Sequence, residues 1–266
     1  MKIIRSRSNS EFQELARLAG SSRQCRAQGL ALIEGERLLC ALSDSGKAAE
    51  TLIISESASL DATRRTRLES LPGKKRIVLA DNLFANISQV VNSQGLMGIC
   101  RIPDAGSWPT EPTTALLLEG IQDPGNLGSI FRTAVAAGIQ HIALSPGSAY
   151  AWSPKVMRSG MGAHFHLSIH EDADLLVLAS GSLVTVAATS PHSDVSLYDA
   201  RLSVPITWIF GNEGAGLSPN LMATSTLRLK VPMAKAAESL NVAAAVAICL
   251  FEQTRQRSPQ AKVVQH

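Results

Sequence analysis

An apolar strand runs into a helix in the stretch Glu119-Gly120-Ile121-Gln122-Asp123-Pro124-Gly125-Asn126-Leu127-Gly128-Ser129-Ile130-Phe131-Arg132-Thr133-Ala134. A tight Asp-Pro-Gly-Asn turn separates the two elements, and Gly138 marks the end of the helix. The amino end of a helix carries free amides and positive partial charge, so this turn is a natural seat for an anion. Taken alone, the stretch equally fits the capped strand-to-helix turn that any α/β protein contains.

A second glycine-rich segment follows a later apolar strand, in Trp208-Ile209-Phe210-Gly211-Asn212-Glu213-Gly214-Ala215-Gly216-Leu217-Ser218. Its three glycines let the backbone approach a bound molecule closely or adopt positive φ. A generic turn would explain the glycines as well. It would not explain the polar pair Asn212 and Glu213.

The third segment runs from Val231 to Phe251. Pro232 ends a strand, the polar cluster Glu238-Ser239-Leu240-Asn241 opens a helix, and that helix is then almost wholly apolar and rich in small residues. A helix that is apolar all round must be buried, and small side chains let another backbone come close. The pattern fits either core packing or a subunit interface.

The region around these segments predicts a mostly parallel sheet with helices on its faces. Ligands bind such sheets at the carboxyl ends of the strands, where the three segments begin. The strands are expected at 116–119, 141–144, 183–188, 207–210 and 227–231.

The first part of the chain predicts a small, separate α/β domain. Ser10 and Gln13 fit a helix cap, Gly20 fits the helix end, and a polar, basic stretch follows at 21–28. Further elements are expected as strands at 31–34, 51–54 and 76–79 and as helices at 37–42 and 62–71.

Three prolines and no apolar periodicity mark a linker between the two regions. The predicted organisation is a first domain at 1–103, a linker at 104–113, a second domain at 114–257 and a tail at 258–266. With 266 residues and 45% hydrophobic content, each domain has enough apolar residues for a core.

Composition restricts the compartment and the partners. No apolar run is long enough to cross a bilayer, and the first eight residues lack the apolar core of a signal peptide, so a cytoplasmic protein is expected. Four scattered cysteines without a Cys-x-x-Cys pair predict reduced, mostly buried thiols rather than disulfides or a zinc site.

The basic residues are concentrated in the first domain. Residues 1–103 hold 15 Lys+Arg against 10 Asp+Glu, whereas 104–266 hold 10 against 12. A polyanion such as RNA would meet the first domain, although a solvated basic surface fits the charge equally.

At the three segments the chain resembles the SpoU or TrmH-like family of RNA ribose 2′-O-methyltransferases, within the SPOUT superfamily. The matching strings are Glu-x-x-x-Asp-Pro-x-Asn-x-Gly-x-x-x-Arg-Thr-Ala from Glu119, Gly-Asn-Glu-Gly-x-Gly-Leu from Gly211, and Pro-Met-x-x-x-x-Glu-Ser-Leu-Asn-Val from Pro232. Weaker matches are Ser153 to Ala163, Arg26 to Leu38 and Val91-Asn92-Ser93-Gln94-Gly95. Three long motifs in the family's order are much more specific than any one of them.

The resemblance implies an α/β fold whose second domain is a trefoil-knotted SPOUT domain, preceded by a ribosomal-protein-L30e-like substrate-binding domain. It also implies a homodimer, with sites that form across the dimer, and S-adenosyl-L-methionine as cofactor. By carry-over the cofactor-binding residues are Ala188, Thr189, Gly211, Val231 and Leu240. The residues of the reaction site are Asn126, Arg132, Glu213, Ser239 and Asn241. No metal is implied.

The implied reaction moves a methyl group from a sulfonium to a ribose 2′-oxygen, which requires loss of the hydroxyl proton and in-line positioning. In the family, the counterpart of Arg132 is proposed as the base. Guanidinium scarcely deprotonates in proteins, so Arg132 either is strongly perturbed or orients the ribose or phosphate while water takes the proton. Ala243 stands where many members have a second serine, so a role assigned to that hydroxyl does not apply here.

Several other functions fit the sequence less well than RNA ribose methylation does. A dehydrogenase would need Gly-x-Gly-x-x-Gly after the first strand of a βαβ unit, and none is present there. Zinc hydrolysis would use His164 and His166 as alternate strand residues, but no third ligand follows nearby. A small-molecule methyltransferase would not need the basic first domain. A transfer RNA methyltransferase and a non-catalytic RNA-binding protein with the same fold remain open, with 23S ribosomal RNA as the expected substrate.

Overall fold

The computed structural model describes residues 2–234, 236 and 239–258, so the tail expected at 258–266 lies outside the described residues apart from Ser258. The chain forms two compact units. One comprises Met1–Asp104 and Tyr150–His166, and the other comprises Ala105–Ala149 and Leu167–His266. The first unit thus includes a segment that sequence alone assigned to the second domain, and the predicted domain limits stay a prediction.

Helices and strands alternate along both units. The strands are β1 (Lys2–Ile4), β2 (Leu30–Glu34), β3 (Ala49–Ser55), β4 (Gly73–Leu79), β5 (Leu96–Arg101), β6 (Ala115–Leu118), β7 (His141–Leu144), β8 (Ser168–His170), β9 (Thr185–Thr189), β10 (Ile206–Phe210) and β11 (Leu227–Leu229). The helices are α1 (Ser10–Ala19), α2 (Ser22–Gln28), α3 (Glu36–Asp44), α4 (Glu56–Leu60), α5 (Ala62–Ser70), α6 (Asp81–Ile87), α7 (Pro124–Ala136), α8 (Pro154–Gly160), α9 (Leu175–Ser180), α10 (Pro219–Ala223) and α11 (Val242–Arg257).

The first unit is built on a mixed sheet of order β1-β4-β3-β5-β2. The pairs β1–β4 and β3–β4 are parallel, whereas β5 runs antiparallel to β2 and β3. Apolar side chains of α1 and α6, among them Phe12 and Phe84, pack against strand residues such as Ile53 and Ile77 to form the core. This unit is therefore the small α/β domain that the sequence predicts.

One local expectation in the first unit was wrong, and one helix was not predicted. Asn9 rather than Ser10 caps α1, since its Oδ1 accepts hydrogen bonds from the amides of Glu11 and Phe12. An asparagine side chain one residue earlier satisfies the same orphan amides, so the cap motif alone leaves the position open by one. The polar stretch at 21–28 contains helix α2, which is capped by Ser21 and ended by Gly29 in the left-handed conformation.

The second unit contains a wholly parallel sheet of order β11-β9-β10-β6-β7-β8, which confirms the predicted mostly parallel sheet. Apolar residues of α9 and α10 pack on one set of strand residues, including Leu117 and Ile209. Trp208 of β10 is fully buried and donates through Nε1 to Gln253 of α11 at 2.8 Å. The carboxyl ends of β6, β10 and β11 lead into the three segments singled out above.

Burial determines the state of several titratable groups. It raises the pKa of the Cys100 and Cys249 thiols to about 12, as expected for reduced, buried cysteines. It lowers the pKa of His164 to about 4, and the ring Nε2 lies 2.9 Å from the Ala151 carbonyl. Residues 163–166 form a 3-10 helix rather than a strand, so His164 and His166 do not share a strand face.

The described part of the chain contains no helix long and apolar enough to span a membrane. It also contains no group of three or more His, Cys, Asp or Glu side chains placed to hold a metal ion.

Candidate functional site

The amino end of α7 fixes the first element of the site. Asp123 caps the helix by accepting the amide of Asn126 at 2.7 Å, and Pro124 occupies the first turn, where its missing N–H costs nothing. The cap holds the backbone of Asn126 at the helix start, immediately after the carboxyl end of β6. Because the cap uses only the backbone of Asn126, the side-chain amide of Asn126 can bond to residues outside α7.

The glycine-rich turn at 211–218 forms the second element, and Asn212 organises it. Its Oδ1 accepts the amides of Gly214 and Ala215 at 2.9 and 3.0 Å, while its backbone exchanges two hydrogen bonds with Gly216. Its Nδ2 donates to the carbonyl of Gly120 at 2.8 Å. Asn212 therefore holds the turn together and also ties it to the segment that follows β6.

Glu119 supplies a second fastening between the same two segments. One of its carboxylate oxygens accepts the amide of Ser218 at 2.7 Å, at the far end of the turn. Neither Glu119 nor Asn212 was among the residues expected at the site, although both lie within the quoted motifs. The glycine pattern indicates a turn but does not show what holds it in place.

Gly211 is required by packing within this turn. A Cβ on Gly211 would lie 2.2 Å from the carbonyl carbon of Gly216 and 2.3 Å from the amide nitrogen of Leu217. Both are backbone atoms, so the contact could be relieved only by moving the turn. The glycine is explained by close approach of two backbone segments of this chain.

Replacing Gly211 with alanine is expected to lower the free energy of unfolding by about 1–3 kcal/mol, as for other overpacked sites. Thermal melts of Gly211→Ala against the parent chain measure this. Gly214→Ala is the matched control, because a Cβ there would meet only Asn212 Oδ1 at an ordinary 3.6 Å. Equal melting temperatures for the two variants would contradict the packing argument.

Asn241 forms the third element, as the cap of α11. Its Oδ1 accepts the amides of Ala243 and Ala244 at 2.9 and 3.3 Å. Its Nδ2 donates to Asn126 Oδ1 at 2.8 Å, and Asn126 Nδ2 in turn donates to Glu213 Oε1 at 3.0 Å. Three segments separated by up to 115 residues thus meet in one hydrogen-bonded row, which we call the amide relay (Asn241, Asn126, Glu213).

Every link of the amide relay has a fixed direction. The carboxylate of Glu213 can only accept, so the NH₂ group of Asn126 must face it. The amides at the start of α11 can only donate, so the oxygen of Asn241 must face them. Its NH₂ group then meets the oxygen of Asn126, and no amide can be flipped without losing a bond.

A cavity of about 140 Å³ lies past the carboxyl end of β9 and past β11. Two of its lining residues, Leu240 and Ala245, flank Asn241 of the relay in sequence. Its walls combine hydroxyl groups with the exposed apolar side chains of Met233 and Leu240. It is lined by Thr189, Ser190, Pro191, Val231, Met233, Ser239, Leu240 and Ala245.

The other expected site residues lie elsewhere. Ala188 is fully buried in β9, and neither it nor Gly211 lines the cavity. Arg132 is exposed on α7 and makes no side-chain hydrogen bond or ion pair within the described part of the chain. It lies six residues beyond Asn126, which is about 9 Å along the helix axis and on a different face. Lys235, Ala237 and Glu238 of the third motif lie outside the described residues.

Comparisons with known proteins identify the family. The family model of the SpoU rRNA methylase family matches residues 113–251. The chain is 28% identical over 253 residues to the 23S rRNA (guanosine(2553)-2'-O)-methyltransferase RlmP of Bacillus subtilis, covering 94% of this chain and 98% of that protein.

Two solved structures are similar over nearly the whole chain. One is an AdoMet-bound rRNA methyltransferase from Sinorhizobium meliloti, with a TM-score of 0.81 and 26% identity, covering 97% of this chain and 99% of that one. The other is the SpoU methyltransferase AviRb from Streptomyces viridochromogenes in complex with AdoMet, with a TM-score of 0.80 and 26% identity over 94% and 99% of the two chains. The likeness therefore includes both units.

Proposed function

The chain belongs to the SpoU rRNA methylase family, and from this premise we propose that it methylates a ribose 2′-hydroxyl of ribosomal RNA with S-adenosyl-L-methionine as donor. The observation that supports the proposal most is the amide relay, which joins one residue of each family motif. A capped turn or a glycine-rich loop that served only the local fold would not require hydrogen bonds to the other two motif segments.

The cavity residues fit the cofactor. S-adenosyl-L-methionine has an apolar ring with polar edges, and the cavity offers Met233 and Leu240 as apolar walls beside the hydroxyl groups of Thr189 and Ser239. At about 140 Å³ the cavity would hold one part of the molecule. We assign Thr189, Val231 and Leu240 to direct contact, while Ala188 and Gly211 would act through the backbone that shapes the strand ends.

When bound, the cofactor supplies an electrophilic methyl group on a sulfonium. The chain must hold the ribose oxygen in line with that methyl group and allow its proton to leave. Asn126 and Asn241 are held in fixed orientation by the relay, and Ser239 lines the cavity two residues before Asn241. Arg132 would stabilise the ribose oxygen or an adjacent phosphate by its positive charge, with the proton passing to solvent.

The exposure of Arg132 and of α11 supports a homodimer whose sites form across the subunits. Phe251 of α11 is 48% exposed in the single chain, and Arg132 is exposed on a face of α7 different from that of Asn126. An apolar helix side in water is typical of a surface covered by a partner. Analytical ultracentrifugation is expected to give twice the mass of one chain, and a monomer at micromolar concentration would contradict this.

The finer architecture belongs to the same proposal. We infer a trefoil knot in the second unit and an L30e-like RNA-binding role for the first unit, on the strength of family membership and of the mixed α/β sheet. The enzyme would act in the cytoplasm, where ribosomal RNA is made in bacteria such as those that hold its relatives.

The test is incubation of the protein with radiolabelled S-adenosyl-L-methionine and protein-free ribosomal RNA, followed by nucleoside analysis. Label is expected in one 2′-O-methylnucleoside of 23S ribosomal RNA. Label in transfer RNA alone would favour the transfer RNA alternative. Cofactor binding without transfer to any RNA would favour a non-catalytic RNA-binding protein.

A further inference from the structure

A hollow of about 570 Å³ lies on the first unit, beneath the loop formed by residues 88–95. This loop contains the segment Val91-Asn92-Ser93-Gln94-Gly95, which plays no part in the methyl-transfer site. Residues of α5 and α6 complete its walls, with Arg64 and Asp81 among them. We call this hollow the loop pocket.

The loop is anchored at both ends. The carboxylate of Glu34, which is only 9% exposed, accepts hydrogen bonds from the hydroxyl of Ser88 and from the amide of Gln89. At the other end Gly95 has a φ of +75°, and a Cβ there would lie 2.5 Å from Ser55 Oγ. Between these anchors Val91 is fully exposed, at 100%. The loop therefore holds an apolar side chain in water at the edge of the hollow.

The lining of the loop pocket suits a neutral ligand with polar edges. Hydroxyl and amide groups dominate it, and its two charged side chains, Arg64 and Asp81, balance each other. The amide and hydroxyl of Ser57 hold the pKa of Asp81 below its usual range, so this carboxylate is an acceptor at neutral pH. Arg64 donates to the carbonyl of Gln94 at 3.4 Å, and its side chain, which is 47% exposed, also pairs with Asp61 at 3.7 Å.

The unit that carries the pocket is basic and therefore suits a polyanionic ligand. The first 103 residues carry 15 Lys+Arg against 10 Asp+Glu, and α5 alone bears Arg64, Arg65 and Arg67. An RNA backbone is attracted to such a surface, while its unpaired bases need flat apolar contacts and hydrogen-bonding edges. The basic unit suits the phosphate of a nucleotide, and the neutral pocket suits its base.

We propose that the loop pocket binds one unpaired nucleotide of the RNA substrate, with Val91 against the base face and Arg64 and Asp81 at its edge. The inference deepens the proposed function and rests on it, because it names where the first unit grips RNA. Specific recognition of RNA commonly uses bases that are splayed out of the helix and stacked on protein side chains.

The experiment measures binding of the full chain to protein-free ribosomal RNA by filter retention. Val91→Ser and Arg64→Ala are each expected to raise Kd about tenfold, because one removes the apolar contact with the base face and the other removes a charged group at the base edge. Matched controls are Leu60→Ser, which removes an apolar side chain that is 82% exposed outside the pocket, and Arg65→Ala, the neighbouring arginine of α5. The controls are expected to raise Kd less than threefold.

Two outcomes would overturn the inference in distinguishable ways. If the variants and their controls bind RNA equally while methyl transfer proceeds, the pocket assignment is wrong and the proposed function stands. If the parent chain binds no RNA at all, both fall. Calorimetric affinity for S-adenosyl-L-methionine is expected to be the same in all four variants, and photocrosslinks from 4-thiouridine RNA are expected within residues 81–95.

Discussion

Arg132→Ala is expected to reduce the rate of methyl transfer to ribosomal RNA by a factor of at least about 100, the usual effect of removing one charged group that stabilises a reacting oxygen. Folding and affinity for S-adenosyl-L-methionine should be unchanged, because Arg132 is exposed and makes no side-chain bond within the described part of the chain. Initial rates with labelled cofactor measure the loss.

Two further variants sharpen this prediction. Arg201→Ala is the matched control, since Arg201 is also exposed in the second unit and lies away from both the relay and the cavity. Arg132→Lys keeps the charge but loses the planar fork, so intermediate activity indicates orientation of ribose or phosphate. A full rate in Arg132→Ala would remove Arg132 from the reaction site.

Asn126→Asp is expected to disrupt the amide relay more severely than Asn126→Ala. The substitution places a second carboxylate where Asn126 Nδ2 donates to Glu213 at 3.0 Å, and like charges at this distance cannot both remain ionised without cost. We expect affinity for the cofactor and the transfer rate each to fall about tenfold at neutral pH.

The fixed direction of the relay allows a rescue. In the double variant Asn126→Asp with Glu213→Gln, the new glutamine amide can donate to the new aspartate, which still accepts from Asn241. Thermal stability and cofactor affinity should therefore return towards the parent values, as a double-mutant cycle measures. Additive losses in the double variant would show that the side chains at 126 and 213 do not interact.

Much of the fold followed from pattern alone. Continuous apolar runs at strands such as β6 and β10 predicted a parallel sheet, because only strands buried on both faces have that composition. Strand β5 gave no such signal, since its six residues include Gly98 and follow a loop rich in polar residues. Its place beside β3 is set by partners far away in sequence.

The candidate site was predictable to a lesser extent. The motifs indicated which segments should meet, and the structure brings Asn126, Glu213 and Asn241 into contact. Sequence did not indicate the direction of those hydrogen bonds, because an amide can donate or accept until its neighbours are known. Nor did the sequence show that Arg132 makes no hydrogen bond with the relay of the same chain. That separation depends on which face of α7 carries the residue rather than on the spacing within the motif.

The central claim is that the three motif segments form a single methyl-donor site. A crystal structure of the chain with S-adenosyl-L-methionine tests it most directly. The account predicts the cofactor in the cavity between Thr189, Val231 and Leu240, with its methyl group directed towards Asn126 and Asn241. A cofactor bound away from these residues, or a relay that is absent from the complex, would contradict it.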